Sequence, residues 1–166
     1  MTHPAPTKDT AASIQEATAY DVANIAKLLE EWIPSAGIAY PEVDKNSLCQ
    51  WVLDTIVNGK VFLAVKGGRI LGVLGVTVDV FPWNPYKKVL KDSFFYVPNG
   101  QRKLGVGDRL MKEAQAMAAD FRVPLFMNIV SGASPDRIDR FYQIKGGVYL
   151  GGTLAFGFEE QEGSHG

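Results

Sequence analysis

Between the apolar run Phe94-Phe95-Tyr96-Val97 and a helical pattern that opens at Asp108, the chain reads Arg102-Lys103-Leu104-Gly105-Val106-Gly107. That is a strand, a short glycine loop and a helix start in immediate succession. Gly105 and Gly107 let main-chain N–H groups come close to a ligand, an approach that bulky or β-branched residues would obstruct. The helix start adds N–H donors with no partner inside the helix, and the positive end of the helix dipole. Arg102 and Lys103 add charge beside it. The amides from Leu104 through Val106 to Asp108 are expected to line a phosphorylated cofactor as an anion nest.

Elements alternate on both sides of this loop. Ile14 to Thr18 reads as a short strand. Asp21 suits the N-cap of a helix reaching about Trp32, with Val22, Ile25, Leu28 and Leu29 on one face. Pro34 and Pro41 mark a loop from Ile33 to Val43, and a second helix runs from about Asn46 to Val57. Lys60 to Val65 is a strand, Lys66-Gly67-Gly68-Arg69 a hairpin turn, and Ile70 to Phe81 a long valine-rich strand. Pro82 to Lys88 reads as a loop and Ser93 to Val97 as the strand before the glycine loop. A helix from Asp108 to Ala119, a strand from Pro124 to Val130 and a helix opening at Ser134-Pro135 follow. Val148 to Phe158 is strand-like.

At a length of 166 residues the chain is expected to form one domain, residues 13–158, between tails at 1–12 and 159–166. The formal net charge of −1 gives no bulk electrostatic case for nucleic acid or an anionic membrane. Cys49 is the sole cysteine, which suits a reducing, cytoplasmic setting. Histidine occurs only at His3 and His165, so a histidine-based nucleophile or zinc site has no basis in the core of the chain, and no metal is expected.

The glycine loop, written Arg102-x-x-Gly105-x-Gly107, resembles the Arg/Gln-x-x-Gly-x-Gly/Ala loop of the GNAT family of acyl-CoA-dependent N-acetyltransferases. Downstream, Phe141-Tyr142-Gln143-Ile144-Lys145-Gly146 is similar to that family's Phe/Leu-Tyr-Glu-Lys-Leu-Gly segment. The resemblance covers roughly Ile14 to Phe158. It implies an α/β (α+β) fold: a single mixed, mostly antiparallel sheet of about six or seven strands with helices on both faces. It also implies acetyl-CoA as co-substrate, a primary amine of a small molecule or protein as acceptor, and a possible homodimer.

Roles follow from the resemblance. Phe95, Tyr96 and Val97 would flank the pantetheine arm, whose amide pairs with exposed strand backbone. A main-chain N–H near Val97 would polarise the thioester carbonyl. Tyr142 would return a proton to the leaving thiolate. The base is left open between Asp79, which interrupts a valine-rich run and is preferred, Asp92, Glu30 and Glu31. Asp108 stands where family members often carry a neutral or basic residue, and its carboxylate would repel phosphate if it pointed inward. Many members place an asparagine shortly before the last helix to contact the cofactor; this chain has Ser131, Ser134 and Pro135 there, with Ser134 a candidate cofactor contact. Trp32, Tyr40, Trp83 and Tyr86 are candidates to line an acceptor cleft. The competing expectation is a module of the same fold that binds an acyl-CoA, or another partner, without turnover.

Overall fold

The structure, a computed structural model, describes residues 11–36, 42–129 and 135–151. Strand β1 (Ser13–Glu16) leads through a short 3-10 turn into helices α1 (Val22–Ser35) and α2 (Lys45–Asn58). Strands β2 (Gly59–Lys66), β3 (Arg69–Phe81) and β4 (Asn84–Tyr96) follow, then a 3-10 turn over Asn99–Leu104, α3 (Val106–Phe121), β5 (Leu125–Phe126) and α4 (Pro135–Ile144). The five strands lie in chain order across one sheet. The first three pairings are antiparallel, and β4 meets β5 in parallel.

Both faces of the sheet are covered. Phe62, Ala64, Leu74 and Val76 pack on one side against Leu110, Ala114 and Met117 of α3. Val61, Leu63 and Val73 pack on the other against Ile25 and Leu29 of α1 and Val52 of α2. This is why β2 and β3 read as continuous apolar runs: the two-residue period feeds two cores at once. Gly72 is required by that packing, because a Cβ there would lie 2.8 Å from a methyl of Val106 on α3.

The expected order of elements holds through α4, with differences in their extent; the strand expected over Pro124 to Val130, for one, is only Leu125–Phe126 among the described residues. Helix α1 runs past the expected end at Trp32 to Ser35, with Pro34 inside its last turn. The expected loop over Pro82–Lys88 shrinks to a tight turn, and β4 starts at Asn84, where its residues are mostly exposed and carry no buried face to betray a strand. The sheet has five strands among the described residues rather than six or seven. Of the expected last strand, Val148 to Gly151 is not strand, and the remainder to Phe158 lies outside the described residues.

A β-bulge at Ser93 reshapes the second half of β4. Gly75 pairs with Phe94 and Val76 with Asp92, so Ser93 is the extra residue. Leu90 therefore packs on the α3 face while Phe94, four residues on, packs on the α1/α2 face. Strand β5 pairs with β4 only at Leu90 and Lys91. Among the described residues the two strands are not paired beyond Lys91.

Candidate active site

Where β4 and β5 part, a cavity of about 370 Å³ opens. Its floor is β4 from Asp92 to Val97. Arg102, Gly105, Gly107 and Asp108 close one end, Trp32 and Ser35 of α1 line a side, and Arg137, Ile138, Phe141 and Tyr142 of α4 cover it together with Asn128.

The expected loop is shorter than the sequence suggests: Gly105 joins the 3-10 turn to α3, and Gly107 is already the second residue of the helix. Gly105 adopts φ +68°, a left-handed conformation that caps α3 at its N-terminus. At Gly107 an added Cβ would make only ordinary contacts, the nearest 3.6 Å from the Phe95 ring. The Arg102 Nε donates to the Val97 carbonyl at 3.0 Å, which fastens the loop to the end of β4. Lys103 and Leu104 fall in the 3-10 turn before Gly105. The Val106 side chain is buried in the α3 core, so only its backbone faces the loop. Helix α3 starts at Val106, two residues before the expected Asp108.

Asp108 does not stand bare beside the loop. Its carboxylate pairs with Lys145, just past the end of α4, and with Lys112 one turn along α3 at 3.1 Å. The Lys145 ammonium also sits over the Phe141 ring, 5.8 Å from its centre.

At the other end of the cavity, Asp92 and Tyr142 share one wall. Asp92 Oδ1 accepts from the main-chain N–H of Asn128 at 2.9 Å and from its side-chain amide at 2.7 Å. Burial pushes the Asp92 carboxyl up to about 6, and the two Asn128 bonds pull in the opposite direction without cancelling it. Tyr142 is buried, and its hydroxyl makes a long bond of 3.5 Å to the Asn128 carbonyl. Burial raises the phenol well above its usual range, and the nearby Asp92 charge raises it further. The Tyr142 ring stacks on Phe95 at 6.4 Å, so β4 sets its orientation.

Phe95, Tyr96, Val97, Arg102, Gly105, Gly107, Asp108, Asp92 and Tyr142 are thus gathered around one cavity. Asp79 is exposed on β3, ion-paired with Lys91 at 2.6 Å, and is not among the cavity residues; neither are Glu30 and Glu31. Lys91 and the Val80 N–H hold the Asp79 carboxyl below its usual range. Ser131, Ser134 and Tyr40 lie outside the described residues. Trp32 lines the cavity, whereas Trp83 and Tyr86 border a separate depression with Lys87, Lys88 and Arg122 at the far tip of the β3–β4 hairpin. Asn128 and Arg137 are additions that sequence reasoning did not single out. The signal for Asn128 was its place as a lone polar residue within Leu125-Phe126-Met127-Asn128-Ile129-Val130.

A profile of the acetyltransferase (GNAT) family matches residues 25–143, and the chain belongs to that family. No curated protein sequence matches it. Among solved structures it is similar to a predicted acetyltransferase with acetyl-CoA from Clostridium acetobutylicum, with a TM-score of 0.71 at 14% identity over 87% of this chain and 95% of the other. An aminoglycoside acetyltransferase from an uncultured soil metagenomic sample, in complex with sisomicin, gives 0.67 at 15% identity over 89% and 95%. The ribosomal-protein-alanine N-acetyltransferase of Brucella melitensis biovar Abortus 2308 gives 0.68 at 16% over 90% and 100%. At such identities these likenesses speak to the fold.

Proposed function

We propose that this GNAT-family chain transfers an acetyl group from acetyl-CoA to a primary amine of a small molecule or protein, by direct attack of the amine on the thioester. The observation that carries this reading is the single cavity that joins an anion-binding loop at one end to a carboxylate and a phenol at the other.

Backbone N–H groups from Leu104 to Asp108, at the N-terminus of α3, hold the pyrophosphate. With its outer edge unpaired from Asp92 on among the described residues, β4 offers backbone partners to the pantetheine amide, flanked by Phe95, Tyr96 and Val97. An N–H near Val97 polarises the thioester carbonyl.

Asp92 replaces Asp79 as the favoured base. It faces the cavity, whereas Asp79 is engaged with Lys91 on the surface. Both Asn128 donors fall on Asp92 Oδ1 and so do not occupy Oδ2. As the amine nitrogen bonds to the carbonyl carbon it becomes acidic, and Asp92 takes its proton. The carbon–sulfur bond then breaks and Tyr142 donates a proton to the thiolate. A phenol held so high is a poor donor while Asp92 is charged. Protonating Asp92 removes the repulsion that raises Tyr142, and burial raises the thiolate as well. The two transfers are coupled in the direction the reaction needs.

Calorimetric titration with acetyl-CoA, followed by release of free thiol in the presence of an amine panel, tests the proposal. Binding with amine-dependent thiol release supports it. No heat on titration would remove it, and binding without release under any amine would leave the non-catalytic module.

A further inference from the structure

Resting on the reading that Asp92 takes the amine's proton, we propose that Asn128 is the positioning residue of this site, tying the base and the acid to one point on the backbone. The geometry is specific to the place where the strands part. The parallel ladder between β4 and β5 ends at Lys91 and Phe126. Two residues further on, the Asn128 N–H has left the strand pairing, and the Asp92 carboxylate takes it instead at 2.9 Å. The Asn128 amide reinforces the same oxygen at 2.7 Å, and its carbonyl accepts from the Tyr142 hydroxyl at 3.5 Å. Three groups of one residue thus address both partners of the proposed chemistry.

The consequence is electrostatic. Hydrogen bonds to a carboxylate favour its charged form, while burial favours the neutral one. Asn128 therefore keeps Asp92 ionised far enough down the pH scale to act as a base near neutrality. Other groups also bear on Asp92. Tyr142 and Arg137 face the cavity from α4, Arg102 from the loop, Asp108 from α3 and Tyr96 from β4 itself, while Lys91 on the same strand is engaged by Asp79. Asn128 differs from all of these in bonding directly to the carboxylate, with two donors.

The test needs no substrate in its first arm. The Asp92 carboxyl is followed by carbon NMR through a pH titration in the full chain, as wild type, Asn128→Ala and Asn128→Asp. The wild-type midpoint is expected near 6. Asn128→Ala loses one charge-assisted bond and should titrate about one pH unit higher. Asn128→Asp keeps the side-chain shape, loses the donor and adds a like charge, so it should titrate higher still. In the second arm, kcat/KM of Asn128→Ala relative to wild type should fall by about fivefold at pH 6 and return to near parity at pH 8.5. A pH-independent loss, which a merely structural role would give, overturns the assignment, and so does an unmoved Asp92 midpoint in both variants. If the midpoints move but wild type transfers no acetyl group to any amine, the proposed function falls while the hold of Asn128 on Asp92 stands.

Discussion

Lys145, just past the end of α4, reaches the carboxylate of Asp108 in the first turn of α3. The contact joins the two segments that carry the family resemblance, the glycine loop and the Tyr142 segment. It also answers a difficulty posed by the sequence, in which an acidic residue follows directly on the loop proposed to hold the pyrophosphate. With Lys145 and Lys112 both on it, Asp108 is neutralised locally while still complementing the helix dipole. Lys145 is tied to α3 a second time, because Gln115 donates to its carbonyl at 3.0 Å.

Removing that ammonium should therefore expose a negative charge to the diphosphate. Lys145→Met is expected to weaken acetyl-CoA binding roughly tenfold at low salt, by calorimetry. Asp108→Asn added to Lys145→Met should restore most of the affinity. A double variant as weak as the single would show that Lys145 acts in some way other than by shielding Asp108.

Asp92 should make the protein less stable as pH rises. Its folded pKa of about 6 lies above the unfolded value of 3.8. Between those values the folded chain holds a proton that the unfolded chain has released, so stability falls as pH climbs through that window. The total is about 3 kcal/mol at most, less whatever solvent screening removes. Asp92→Asn retains an oxygen to accept both Asn128 bonds and never has to bury a charge. Its melting temperature should match wild type near pH 4 and exceed it at pH 7.5, while acetyl transfer is largely lost. A variant less stable than wild type at pH 7.5 would contradict the burial argument.

Much of this was legible in the sequence. The glycine loop, the two helices before the central strands and the Tyr142 segment all arise from local pattern, and local pattern survives in the fold. The bulge at Ser93 does not belong to that class. It reverses the alternation between Leu90 and Phe94, and nothing in the composition of the strand marks where the reversal falls. The choice among Asp79, Asp92, Glu30 and Glu31 was equally hidden, because which carboxylate meets the cavity depends on how the elements pack and on how far β5 accompanies β4. Asp79 interrupts a valine-rich run, which suggests burial, but Val78 and Val80 beside it are themselves exposed. The partnership of Asn128 with Asp92, 36 residues apart, is tertiary information of the same kind.

Tyr142→Phe separates chemistry from binding. The hydroxyl makes one long hydrogen bond, so its loss should change the melting temperature little. The ring and its stacking on Phe95 remain. Turnover should fall by roughly 100-fold, the lower end of what a positioned acid supplies, with acetyl-CoA affinity unchanged. Equal turnover in the variant and wild type would remove Tyr142 as the proton donor and leave solvent to protonate the thiolate.

The two loop glycines should respond differently, because the fold constrains them differently. Gly105 needs its left-handed φ of +68°, so Gly105→Ala is expected to cost about 1 kcal/mol of stability whether or not a ligand binds. At Gly107 the backbone is ordinary and a methyl would rest 3.6 Å from the Phe95 ring, so Gly107→Ala should fold with a melting temperature close to wild type. Gly107 lines the cavity, and under the proposed function its added methyl would crowd the space assigned to the pyrophosphate. Acetyl-CoA affinity should therefore drop by roughly tenfold or more in a protein that is otherwise intact. Measuring melting temperature and acetyl-CoA dissociation constant on both variants distinguishes a turn from a binding loop. If Gly107→Ala binds as tightly as wild type, the glycines serve only to bend the chain, and the anion must be held elsewhere.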